Sequence, residues 1–384
     1  MSPREFVVID VPQGQVMEAQ SGLQMTRPRI YGALAGAPRG AVGAIVIHPT
    51  SNFLDHFLME PLARAGVSLL GLNTRYAGND SVLLMERAIQ DLGAGMLFMR
   101  ERFETVFLVG YSGGAALTAF YQAQAEKLTV THTPGGEPVR LDPAAMPPAD
   151  GIVLMGAHLG RARLLRDWLD ASLIDEGDPY ATDPALDIYD RRNGPPFAPE
   201  FMARVQAAQA ARSDRITARV KRRLQALRED PVLPRDEPML VYRTYADPRF
   251  VDLSHDANDR APGGNRGDDP RVMNYGVNSL ARYTSLSAWM SQWSMDSQAD
   301  GPTNLALTSV PVLHLELTAD GSVFPSAIRE WSQAIRSGGR DGRESFHRIP
   351  KATHYFRGQP ELVEQVAQLC AYWSARLAGA HHHP

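Results

Sequence analysis

Residues 105–121 read TVFLVGYSGGAALTAFY. The first half is apolar and rich in β-branched residues, the pattern of a strand buried on both faces. Glycines and one serine follow, and then alanines, Leu117 and aromatics at helical spacing. A strand that turns at once into a helix leaves Ser112 at a sharp corner. Gly110, Tyr111, Ser112, Gly113 and Gly114 match G-x-S-x-G, whose small residues let strand and helix approach while the serine hydroxyl is exposed. The helix N-terminus beneath it supplies N–H groups and partial positive charge. The same five residues also suit an ordinary glycine turn, so the serine needs partners before it implies chemistry.

Outward from that corner, apolar runs alternate with helical segments. Strands are predicted over 5–11, 27–36, 41–49, 67–75, 105–112, 151–158, 310–320 and 344–350. Helices are predicted over 81–103, 113–128 and 360–378. This alternation implies a mostly parallel sheet of about eight strands with helices on both faces. It stops between 159 and 308, where charged helical stretches and proline-rich joints stand instead. The expected organisation is a core of residues 1–158 and 309–384 with an inserted, largely helical cap over 159–308. No repeat at solenoid spacing is present.

The 384 residues carry a formal charge of −4, which offers no general attraction to nucleic acid or anionic lipid. Hydrophobic residues make up 44% and charged residues 21%, as in ordinary globular proteins. A single cysteine, Cys370, rules out an internal disulfide framework, and its place among Val366, Leu369 and Trp373 implies packing. No secretory signal or membrane-spanning run is read, so a cytoplasmic protein is expected. The terminal HHHP is read as a frayed tail rather than a metal site. In the loop 256–276, Arg260 falls where a calcium loop would need an oxygen ligand. The glycine run in that loop opens no phosphate-binding helix. No metal and no cofactor is expected.

A serine hydroxyl attacks only when a base takes its proton and a third group orients that base. LTADG, after the strand over 310–320, offers Asp320; KATHYF, after the last strand, offers His354. Catalytic groups of open α/β sheets gather at the C-terminal ends of strands, where all three stand. Asp296 and Asp300 remain alternative acids, and Glu316 lies within a strand. Among other histidines, His314 reads as a packed strand residue, and His132, His255 and His347 as loop or strand-edge residues.

With these residues in the order Ser, Asp, His, the chain resembles the α/β-hydrolase superfamily, in its serine-nucleophile, esterase- and lipase-like branch. The resemblance covers about residues 40–158 and 309–378. It implies Ser112 as nucleophile, His354 as general base and acid, and Asp320 as the orienting carboxylate. A serine at the elbow argues against the aspartate-nucleophile branches, haloalkane dehalogenases and epoxide hydrolases. The implied activity is cofactor-independent cleavage of a small carboxylic ester or lactone. Thioesterase, amidase, carbon–carbon bond hydrolase and acyltransferase chemistry on the same fold stay open, as does a non-catalytic receptor that keeps the pocket.

Acyl transfer also needs two donors for the developing oxyanion. The Gly113 amide is one. Many relatives carry His-Gly after the strand at 41–49, but this chain has His48-Pro49, and proline has no N–H. The second amide is therefore expected from Thr50 or Ser51, with Asn52 as a side-chain alternative and His48 as a buttress or substrate contact. Tyr111 beside the nucleophile is a further candidate contact. Trp289 and Trp293, four apart, share a helix face. They read either as a pocket wall, widened by Tyr283, Leu286 and Met290, or as core. Arg75 and Asp80 read as loop-stabilising residues.

Overall fold

The computed structural model describes residues 4–12, 16–18, 24–265, 269–337 and 342–380; the terminal histidines and part of the glycine run at 263–267 lie outside them. The strands of the main sheet are β1 (Arg4–Asp10), β2 (Arg29–Ala35), β3 (Gly40–His48), β4 (Ser68–Asn73), β5 (Phe103–Tyr111), β6 (Gly151–Met155), β7 (Val312–Leu317) and β8 (Glu344–Ile349). Their spatial order is β1-β2-β4-β3-β5-β6-β7-β8. β2 runs antiparallel to both neighbours, and every other pairing is parallel. With the elbow after β5, this is the α/β-hydrolase fold.

The pleat divides each central strand between two cores. Ile45 and Ile47 of β3 join Leu70, Leu72, Leu108 and Leu154 on one face. Helices α2 (Met85–Arg100), α3 (Gly114–Glu126), α8 (Gly301–Ala306) and α9 (Pro325–Arg336) cover that face through residues such as Ile89, Phe120, Leu305 and Trp331. Ala44 and Val46 face the other way, with Phe107, Val109 and Leu313, under α1 (Met59–Arg64) and α10 (Pro360–Ala380). Cys370 lies in this second core, where burial pushes its thiol up to about 12.

Between β6 and β7 the chain leaves the sheet for more than 150 residues. That excursion carries α4 (Arg161–Trp168), α5 (Pro199–Glu229), α6 (Pro270–Tyr275) and α7 (Leu286–Ala288), and α7 continues as a π-helical turn over Trp289–Trp293. Along α5 the residues Ile216, Val220, Leu224 and Leu227 share one buried stripe, while Arg219, Arg222 and Arg223 are exposed. The stripe packs on Leu165 and Leu169, Leu286, Trp289 and Trp293, giving the excursion its own apolar cluster.

Polar contacts tie this cluster to the sheet. Ser291 Oγ accepts from the Met85 amide at 2.8 Å and donates to Glu86 at 2.6 Å. Gln292 donates to the Asp80 carbonyl at 2.7 Å. Glu86 is fully buried, and the burial pushes its carboxyl up to about 7 despite hydrogen bonds from Ser291 and Gln298. The unfolded chain loses this proton near pH 4.5, its ordinary value, while the folded chain keeps it to about pH 7. Stability therefore falls as pH rises across that window, and the penalty persists above it. Relative to the wild type, Glu86→Gln should gain about 2–3 kcal/mol between pH 5 and pH 8. Denaturant unfolding at the two pH values measures it; a difference that does not change with pH would rule out this protonation.

Candidate active site

Ser112 links β5 to α3 with φ of 57°, in the left-handed region. For a non-glycine residue that conformation costs about 1–3 kcal/mol and persists only when the surroundings impose it. Two hydrogen bonds fix it: the Ser112 amide donates to Met155 O at 3.3 Å, and its carbonyl accepts from the His158 amide at 3.2 Å. The close approach of helix and sheet needs Gly114, because a Cβ there would lie 2.1 Å from the Ile47 carbonyl oxygen.

The chain's return through β7 and β8 brings Asp320 and His354 to the same corner. His354 Nε2 lies 3.1 Å from Ser112 Oγ, and its Nδ1 lies 2.7 Å from Asp320 Oδ2. The other carboxylate oxygen, Oδ1, accepts from the amides of Ser322 and Val323 at 2.8 and 3.0 Å. Burial alone would raise the Asp320 carboxyl, but the adjacent His354 and the two amides outweigh it and hold it below the ordinary carboxylate range. An ionised Asp320 accepts the Nδ1 proton, which leaves the Nε2 lone pair toward the serine hydroxyl. The alternative acids are engaged elsewhere. Asp296 pairs with Lys221, Asp300 caps α8 and pairs with Arg163, and Glu316 pairs with Arg348. His314 sits within β7 against Glu344.

Tyr111 was expected against substrate. Its side chain is buried, with the hydroxyl donating to the His354 carbonyl at 2.6 Å and the ring stacked on the imidazole at 5.3 Å. It borders the cavity, but its polar atom is spent on holding His354. Phe53, His56 and Phe57 pack around the same ring.

The expected second oxyanion amide meets a correction in this conformation. The Thr50 and Ser51 amides donate to His48 Nδ1 at 3.1 and 2.9 Å rather than reaching toward Ser112. The physical reason is local: without an amide at Pro49, the loop closes by wrapping its next two N–H groups onto the preceding imidazole. With Nδ1 as acceptor, the proton of the neutral ring belongs on Nε2. That atom lies against Gly113, 2.7 Å from where a Cβ would stand. Asn52 is exposed and is not among the described residues lining the cavity at Ser112; its Oδ1 accepts from the Leu54 amide and Asn73 Nδ2.

A cavity of about 140 Å³ opens onto Ser112, Gly113 and His354. His48, Thr50, Ser51, His158, Arg161 and Asn265 give it a polar side, and Phe53, Leu164, Trp168, Leu280 and Trp293 an apolar one. Trp293 is on the wall, as one reading of the aromatic pair expected, but Trp289 is not. The Trp289 indole donates to Thr217 Oγ1 at 3.0 Å, inside the excursion's own cluster. Sequence reasoning did not single out His158, Arg161, Asn265 or Ser322 at the site. Of these, His158 alone carried a signal, standing at the C-terminal end of a predicted strand. Arg75 pairs with Asp91 at 2.6 Å, and Asp80 with Arg161 at 2.7 Å, so both loop residues make structural bonds. A larger open groove of about 860 Å³ runs along α9 and β8 and holds none of the Ser112 cavity's residues.

No protein-family model matches the chain, and no curated protein matches it in sequence. Among solved structures, it is similar to the esterase domain of a Rhodothermus marinus protein, at 12% identity over 97% of this chain and 98% of that one, with a TM-score of 0.45. It is similar to the monoacylglycerol lipase of Paleococcus ferrophilus, at 14% identity over 91% and 98%, TM-score 0.46. It is also similar to a bromoperoxidase from Bacillus anthracis, at 12% identity over 96% and 99%, TM-score 0.43. Proteins of such different names leave the reaction to be argued from the site.

Proposed function

We propose that this protein is a serine hydrolase that cleaves a small carboxylic ester or lactone through an acyl-enzyme on Ser112, without a cofactor. The observation that carries the proposal is the hydrogen-bonded series Ser112–His354–Asp320, set at a left-handed elbow and opening into a cavity. In the first half-reaction Ser112 Oγ attacks the carbonyl carbon as its proton passes to His354 Nε2. The tetrahedral oxyanion is held by the Gly113 amide, at the start of α3, and by His48 Nε2–H in place of the usual loop amide. The intermediate collapses, the C–O bond to the alcohol breaks, and His354 returns the proton to the departing oxygen. Water then attacks the acyl-enzyme by the same path, restoring Ser112 and releasing the acid. Asp320 stays ionised and steadies the imidazolium. The excursion between β6 and β7 acts as the cap, supplying Arg161, Leu164, Trp168 and Trp293 to the cavity wall.

An alkyl fluorophosphonate tests the reading directly. Mass spectrometry of the treated protein should find one phosphonyl adduct, on Ser112, and none in Ser112→Ala. His48→Phe keeps a ring but loses the donor, and should slow labelling and ester turnover about 10²-fold. Folded protein that takes no label and cleaves no ester or lactone would sink the proposal.

A further inference from the structure

Resting on that reading, we propose that the substrate is anionic and that Arg161 recognises its carboxylate. Arg161 opens α4 and contributes to the wall of the cavity that holds Ser112. It is only 7% exposed, so its charge is deployed in a low-dielectric setting rather than on the surface. Asp80 engages Nη2 at 2.7 Å, and the Trp293 ring lies 4.1 Å from the guanidinium carbon. These contacts set the plane of the guanidinium, the preorganisation that bidentate carboxylate recognition needs.

The composition of the wall supports the same conclusion. Among its described residues are Arg161 and the three imidazoles of His48, His158 and His354, and there is no aspartate or glutamate. Asp320 is covered, with 1% of its surface exposed, and its charge is committed to His354. Arg161 is the one fixed cation among those described residues, and no carboxylate of the wall opposes it, which favours a ligand of the opposite sign. The volume of about 140 Å³ restricts the bound part to a compact group, so the anionic group and the scissile carbonyl must lie close together. An arginine that served only to tie α4 to the loop carrying Asp80 would leave substrate choice unaffected. That difference is measurable.

Two matched pairs test it: phenyl hemisuccinate against its neutral methyl ester, and 4-acetoxybenzoate against 4-acetoxybenzamide. The first pair places the charge on the acyl side, the second on the alcohol side. In at least one pair the wild type should prefer the anion by about thirtyfold in kcat/KM, the scale of one charged hydrogen bond in a buried site. Raising the salt concentration should shrink the preference. Arg161→Gln should abolish it, chiefly through KM, and Arg161→Lys should retain part of it. Because Arg161→Gln strips Asp80 of its partner, Arg161→Gln/Asp80→Asn provides a charge-balanced second variant. A wild type indifferent to charge in both pairs, or a preference that survives in a folded Arg161 variant, overturns the proposal. If the wild type cleaves neither pair and also takes no fluorophosphonate label, the hydrolase reading fails separately. Glutarate titrated calorimetrically into Ser112→Ala then decides the carboxylate site, with heat lost on adding Arg161→Gln in support and no heat at all against.

Discussion

Ser112→Ala, His354→Ala and the double variant should lose nearly the same activity, each about 10⁵- to 10⁶-fold in kcat. The equality follows from geometry. Ser112 Oγ and His354 Nε2 are 3.1 Å apart and share one proton, so neither has a catalytic use without the other. An alanine at 354 leaves a serine with an ordinary hydroxyl pKa, and an alanine at 112 leaves a base with no proton to take. Once one is gone, the second substitution removes nothing further. A residual rate above that in water should remain, because the Gly113 amide, His48 and the cavity wall still bind the oxyanion and the substrate. Steady-state turnover of an activated ester measures this, with circular dichroism to verify the fold of each variant. Losses that multiply in the double variant would show two independent roles and break the proposed mechanism.

The sheet and the elbow were legible because their signals are local and redundant. Apolar runs marked all eight strands, with ends shifted by at most a few residues, and G-x-S-x-G fell at the junction of β5 and α3. Asp320 and His354 could be singled out because both follow strands at the sheet's C-terminal edge, which is a rule of topology and not of local sequence. Helix α9 lies outside the predicted helices, although Ile328, Trp331 and Ile335 carry a buried stripe along it. The Trp289–Trp293 pair divides between its two readings, although both indoles join the excursion's apolar cluster within a π-helical turn. Trp293 reaches the cavity while Trp289 turns to Thr217. Proline at 49 was a correct warning that the loop departs from the common pattern, but the remedy depended on a ring orientation. Whether Thr50 and Ser51 face the substrate or His48 Nδ1 is a choice between near-equal local hydrogen bonds. Arg161 had no legible signal at all. A single charged residue at a strand–helix joint looks like surface until a tertiary neighbour, here Trp293 and Asp80, covers it.

Asp320→Asn should cost about 10⁴-fold in kcat while leaving the fold intact, through an error in the imidazole tautomer. The surrounding donors dictate how the new amide must sit. Ser322 and Val323 both point their N–H groups at Oδ1, and two donors at one position select the carbonyl oxygen of an asparagine there. Its NH₂ is then forced to the Oδ2 position, 2.7 Å from His354 Nδ1. A donor at that place requires Nδ1 to accept, which moves the ring proton to Nε2, facing Ser112. The base then has no lone pair toward the hydroxyl it must deprotonate. Asp320→Ala lacks the misdirecting donor and leaves either tautomer available, so it should cost no more than the asparagine variant despite removing more atoms. Fluorophosphonate labelling rates should fall in the same order as ester turnover, because both need the Ser112 proton removed. An asparagine variant that kept even a tenth of the activity would show that Asp320 does not orient His354. An alanine variant far worse than asparagine would show that packing or charge, rather than the tautomer, is what Asp320 supplies.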